Sequence, residues 1–200
     1  MKGSRSWLAL CTLHGVASLV LWASPAPLAQ ALVWRSADWA QRPWTAWTSA
    51  WVHLNAPHLV GNLLALGVLA AIGWRLRPTR AATLAWALSW PLLQLSLLLW
   101  PLIGYAVGLS GMLHAGVAVL AVCLLLDGPK ALRPWGLLLA SGLLLKLWLE
   151  RGWSAPVVWD PGGPMSVVRA AHLAGAAWGA LLGALGVGWS RRRRARRTGD

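Results

Sequence analysis

Long stretches without Asp, Glu, Lys or Arg dominate this 200-residue chain, and their lengths limit what it can fold into. Arg5 to Arg35 encloses 29 such residues, Arg42 to Arg75 encloses 32, Arg80 to Asp127 encloses 46 and Arg169 to Arg191 encloses 21. A further run from Pro134 to Leu149 is broken only by Lys146. A spanning helix needs about 20 mainly apolar residues. The 46-residue run is too long for one crossing, and Pro101-Leu102-Ile103-Gly104-Tyr105 divides it in two. The expectation is an all-α polytopic membrane protein with six spans near 7–23, 57–74, 81–99, 109–126, 135–150 and 169–189. Residues 1–200 then form one membrane domain, with 190–200 as a basic tail.

Charge placement supplies the orientation. The 18 Lys and Arg outnumber the 5 Asp and Glu, which could suggest a nucleic-acid partner. Such a partner needs the charges on one face, and here they sit between uncharged stretches, so none is expected. With the N-terminus inside, Lys2, Arg5, Arg75, Arg77, Arg80, Lys130, Arg133 and six Arg from 191 to 197 are cytoplasmic. These 13 stand against Arg35, Arg42, Arg151 and Arg169 outside, and basic residues stay on the cytoplasmic side. Both termini are therefore placed inside. The terminal Arg run reads as a stop anchored by anionic lipid of the bilayer. Residues 2–30 also resemble a secretory signal peptide, but the length of the apolar run favours a retained first span.

Ser24 to Ala56 is the one sizeable external loop, and its Trp34, Trp39, Trp44, Trp47 and Trp51 are expected at headgroup level. Cys11 and Cys123 fall in the cytoplasmic halves of spans, so neither a disulfide nor a metal site is assigned. Polar residues within spans are costly and therefore informative. The second, fourth and sixth spans each start outside. That places His58 and Asn62, then Ser110 and His114, then His172 near the outer surface at one depth. His14 lies far from that level and receives no role.

Those residue types suit acyl transfer. Serine is a weak nucleophile that needs a neighbouring base, and histidine serves near neutral pH. Asn62 and His58 can donate to the oxyanion beside backbone N–H groups. No carboxylate lies at this depth in the three helices, which favours a Ser110–His172 dyad over a triad. Gly108 and Gly111 flank Ser110 and let a substrate backbone approach. Gly175, Gly179 and Gly183 make a small-residue face that lets two membrane helices come close. No cofactor is expected.

Taken together, His53-x4-His58-x3-Asn62, Gly108-Leu109-Ser110-Gly111 and Ala171-His172-x2-Gly175-x3-Gly179 resemble the rhomboid intramembrane serine proteases. The resemblance implies a six-helix rhomboid-like bundle with Ser110 as nucleophile and His172 as general base. It implies His58 and Asn62 at the oxyanion and His53 as a structural histidine above the site. Many rhomboids carry a tyrosine four residues after the serine, stacked on the catalytic histidine; this chain has His114, read as support. Tyr105 to His114, with Lys146 to Glu150, is similar to the rhombosortase branch. That likeness implies a bacterial inner-membrane enzyme with its site towards the periplasm. Its substrates would be exported proteins bearing a C-terminal Gly-Gly signal, an apolar helix and a basic tail.

Blander readings stand beside these. Lys146 and Glu150, at i and i+4, form a snorkelling ion pair by default, with substrate gating behind it. Asp160-Pro161-Gly162-Gly163-Pro164 reads as a turn-forming loop. At the level of function, the alternatives are an inactive rhomboid-like protein that binds transmembrane clients, or an enzyme that passes its acyl group to an amine.

Overall fold

The computed structural model describes residues 2–160 and 165–198. In chain order the long helices are α1 (Lys2–Trp22), then, after two short helices α2 (Ala26–Ala31) and α3 (Thr45–Thr48), α4 (Ala56–Leu76). They continue with α5 (Arg80–Ser96), α6 (Ser110–Asp127), α7 (Arg133–Glu150) and α8 (Arg169–Thr198). Among the described residues, five helical stretches are long and apolar enough to cross a membrane. These are Ala56–Leu76, Arg80–Leu99, Ser110–Asp127, Lys130–Glu150 and Arg169–Arg192. The expected first span corresponds to α1, which has 21 residues but is not among those five. It joins the bundle through packing: Trp7 is fully buried, stacks on Trp86 at 4.4 Å and donates its indole N–H to the Leu69 carbonyl.

Cap chemistry sets several helix boundaries. Asn55 accepts the His58 backbone N–H to open α4, and Thr79 accepts that of Ala82 to open α5. Left-handed residues Arg77 and Arg151 follow the last turns of α4 and α7. The basic segment expected as a tail continues α8 as helix to Thr198, and Arg191 reaches the Asp127 carboxylate and the Leu126 carbonyl.

Helix α6 is the axis of the molecule, buried along most of its length. It meets α8 backbone to backbone. A Cβ added to Gly175 would lie 2.1 Å from the Gly111 carbonyl oxygen, and one on Gly179 would lie 2.4 Å from that of Ala115. The small-residue face thus has the role expected of it, and the pairing is specific: Gly111, Ala115 and Val119 against Gly175, Gly179 and Gly183. Gly175→Val would force these backbones apart, with no side chain free to yield. An expected loss of about 3 kcal/mol would be read as a lower thermal midpoint of the purified protein.

Among the described residues two short antiparallel strand pairs depart from an all-helical chain, although helix still makes up 74%. Strand β1 (Trp34–Arg35) pairs with β2 (Tyr105–Ala106), and β3 (Val158–Asp160) pairs with β4 (Met165–Val167). The turn expected at 161–164 lies outside the described residues. The first pair also corrects one Trp assignment. Trp34 does not face out of the protein, as a ring settling among headgroups would, but is fully buried with Leu97, Ile103, Ala106 and Ala170. Pairing Trp34 with Ala106 directs that side chain under the loop, whereas Trp44 and Trp47 remain exposed.

Helix α7 is the least embedded. Gly136 lets it touch α6, where an added Cβ would sit 2.9 Å from Leu124 Cβ. Between α7 and α4 a groove opens, formed by adjoining cavities of about 480 and 560 Å³ that share Leu138 and Leu139. The first of these reaches Ser110 and His172, and the second ends at Arg75 and Trp135.

Candidate active site

Ser110 opens α6, directly after a sharp bend at Gly108. That glycine has φ +100°, a conformation costly for any residue with a Cβ. Its N–H donates to the Ser49 carbonyl at 3.0 Å, and an added Cβ would lie 2.5 Å from the His58 ring. The bend brings the start of α6 against α4 and leaves the first-turn amides of Ser110 and Gly111 without intrahelical acceptors. A small cavity of about 40 Å³ adjoins Ser110, with His58, Gln94, Gly108 and Gly111 in its wall.

Across the α6–α8 contact, Ser110 Oγ lies 2.9 Å from His172 Nε2. The glycine contact makes this pairing: Gly111 and Gly175 follow Ser110 and His172 by one and three positions, so the close approach carries both side chains with it. His172 is 6% exposed.

Glu150 corrects the expectation of an unaided dyad. Its Oε2 lies 2.8 Å from His172 Nδ1, while Oε1 pairs with Lys146 Nζ at 2.5 Å. The expectation considered only the spans that start outside. The last residue of α7 meets the first turn of α8. A tight junction holds the two ends together. Gly152 packs on the Arg169 backbone, where an added Cβ would lie 2.7 Å from the Arg169 carbonyl oxygen, and the Arg169 guanidinium donates to the Glu150 carbonyl. The signal was present in the sequence: Glu150 is the one acidic residue near a span end expected to face outside. The expected Lys146–Glu150 pair forms, but its carboxylate is shared with the histidine, and Lys146 also lines the groove.

His114 lies one turn below Ser110. Its Nδ1–H donates to the Ser110 carbonyl at 2.7 Å, and its ring stacks on His172 with centroids 4.2 Å apart and planes 8° from parallel. The imidazole thus backs His172 as a flat surface. His114, Glu150 and His172 bring donor atoms within 4.8 Å of one another. Parallel rings hold their in-plane lone pairs in parallel planes, so the donors do not converge on an ion as tetrahedral ligation requires. The cluster is arranged as a hydrogen-bond network.

On the other side of Ser110 stand His58 and Asn62 from α4. The His58 ring covers Gly108, and Asn62 Nδ2 lies 3.6 Å from where a Gly108 Cβ would be. Asn62 Nδ2–H donates to His53 Nε2 at 3.0 Å, and His53 Nδ1–H donates to the Trp51 carbonyl at 3.0 Å. Burial holds the His53 imidazole below the usual histidine pKa, and the bond to Trp51 opposes that only in part. A neutral His53 is what accepting from Asn62 requires. Ser110, His172, His58, Asn62, His53 and His114 therefore all converge; Glu150, expected in an ion pair or a gate, and Gln94, to which the sequence assigns no role, join them. Gln94 Nε2 has no hydrogen-bond partner among the described residues.

Residues 40–189, 150 of the 200 in the chain, match the family model described as the Rhomboid domain. No curated protein matches the chain.

Proposed function

This chain belongs to the rhomboid family, and from that premise we propose that it is an intramembrane serine endopeptidase working through Ser110, His172 and Glu150. The observation that carries the reading is the continuous line from Ser110 Oγ to His172 Nε2 at 2.9 Å and from His172 Nδ1 to Glu150 Oε2 at 2.8 Å. The carboxylate accepts only, so Nδ1 carries the hydrogen and Nε2 is left to accept from serine. As Oγ attacks the scissile carbonyl, its proton passes to Nε2 and the imidazolium is stabilised by Glu150. Asn62, His58 and the first-turn amides of α6 donate to the oxyanion. Nε2 then returns the proton to the leaving amine, and water releases the acyl-enzyme by the same route. An inactive client-binding protein would have no use for this alignment.

Substrate class follows from the surroundings of Ser110. The groove between α4 and α7 opens sideways onto the catalytic atoms, which suits the helix of a membrane protein. The cavity beside Ser110 is small, about 40 Å³, which suits a small residue such as glycine next to the scissile bond. We therefore assign as substrates exported proteins with a C-terminal Gly-Gly signal, an apolar helix and a basic tail, cut near the outer face of a bacterial inner membrane. With six spans and both termini inside, the site faces the periplasm.

The test is a single-span reporter carrying that tail, incubated with the purified protein in lipid nanodiscs. Cleavage next to the Gly-Gly pair is expected, and an intact reporter together with no fluorophosphonate labelling of Ser110 would reject the reading. Mass spectrometry of the new C-terminus separates the two fates of the acyl-enzyme, a free carboxylate for hydrolysis and an added amine for transfer. His114 acts as a stacking support rather than a proton carrier, because its Nδ1–H is held by the Ser110 carbonyl. His114→Tyr should keep turnover within about threefold, whereas His114→Ala should lower it about tenfold, an effect of about 1.4 kcal/mol. Equal losses in the two variants would argue against stacking as its role.

A further inference from the structure

His14 is fully buried in the middle of α1, in a part of the chain to which the proposed chemistry assigns nothing. A leucine would pack there without the cost of burying a polar ring. What the imidazole adds is an acceptor: His14 Nδ1 receives the indole N–H of Trp51 at 3.1 Å. Trp51 closes the turn Ser49–Trp51, and its ring also packs edge-on against Trp90 at 5.1 Å. The Trp51 carbonyl accepts from His53, and His53 Nε2 accepts from Asn62. The same turn offers its Ser49 carbonyl to the N–H of Gly108. One turn thus holds both walls of the oxyanion region, and His14 is its attachment to α1.

The protons along this path have only one arrangement. An indole N–H donates and never accepts, so His14 Nδ1 must be the acceptor. A carbonyl accepts and never donates, so His53 carries its hydrogen on Nδ1 and receives at Nε2. Asn62 must therefore turn its amide nitrogen towards His53. One hydrogen of that nitrogen is used there, and the other remains for the site beside Gly108.

We propose that His14 is a positioning residue for the oxyanion donor, acting on Asn62 through Trp51 and His53. This rests on the protease reading, in which Asn62 stabilises the oxyanion. The experiment measures labelling of the full chain in nanodiscs by a rhodamine fluorophosphonate. In that reaction Ser110 Oγ bonds to phosphorus, fluoride leaves, His172 takes the proton, and the phosphoryl oxygen occupies the oxyanion position. The maximal labelling rate reports the oxyanion donors, and the half-saturating probe concentration reports probe binding.

His14→Leu should lower the maximal rate about fivefold at unchanged half-saturation, whereas His14→Asn, which keeps an acceptor, should stay within about twofold of the parent. In an Asn62→Ala background, His14→Leu should cost less than about twofold more, because residues that act in series are not additive. Trp51→Phe removes the same indole donor and should repeat the pattern if His14→Leu does not fold. Additive losses, or His14→Asn falling as far as His14→Leu, would overturn the proposal alone. A parent chain whose Ser110 takes no label would sink the protease reading, and this proposal with it.

Discussion

Ser110→Ala and His172→Ala are each expected to lower reporter cleavage by at least about a thousandfold, a loss of about 4 kcal/mol or more in transition-state stabilisation. The reason is geometric. With Ser110 Oγ 2.9 Å from His172 Nε2, nucleophile and base share one proton, so removing either leaves the other with no group to exchange it with. The double variant should therefore be no slower than the slower single one. Folding is the control. Among the described residues Ser110 Oγ bonds to His172 alone, so Ser110→Ala should keep the thermal midpoint of the parent. The measurement is single-turnover cleavage of the Gly-Gly reporter together with fluorophosphonate labelling. Cleavage by Ser110→Ala at the parent rate would remove the serine mechanism altogether.

Glu150→Gln should have the next largest effect, about a hundredfold in turnover with little change in half-saturation. The carboxylate does two things that an amide does not. It accepts from His172 Nδ1, which leaves Nε2 unprotonated for serine, and its charge offsets the imidazolium formed during attack. A glutamine can instead present its N–H₂ to Nδ1, which favours the tautomer with the hydrogen on the wrong nitrogen. Because the second oxygen pairs with Lys146, Lys146→Met should lower turnover far less than Glu150→Gln does. If Lys146→Met were the more damaging of the two, Glu150 would be better understood as part of a gate than as support for the histidine.

The contrast between Ser110 and Glu150 shows which parts of the site were legible beforehand. Ser110, His172, His58 and Asn62 group together in the sequence because all lie near the start of spans expected to begin outside, where depth can be counted from a charge boundary. Glu150 sits at the opposite end of its own span, and its i−4 neighbour Lys146 offers a local explanation for its charge. That explanation was correct as far as it went: the pair forms. What periodicity within one helix cannot express is that the other carboxylate oxygen faces a histidine 22 residues away, across the Gly152–Arg169 junction. Trp34 is a similar case, since indole rings favour the headgroup level, and only pairing with Ala106 places this one in a core. His14 shows the limit most plainly. Its depth gave no reason to connect it with the site, and its partner Trp51 belongs to a loop whose path no helical pattern describes.

By itself the sequence located the helices and grouped Ser110, His172, His58 and Asn62, because both readings follow from local physics. Uncharged runs must be helical in lipid, where every backbone group needs a partner, and charged residues mark their ends. The tertiary structure decided how these helices rotate against one another. That rotation depends on contacts between residues far apart in the chain, above all Gly111 on Gly175 and Gly152 on Arg169. Those contacts turn a serine and a histidine at one depth into a hydrogen-bonded pair, and bring in Glu150 to orient the base.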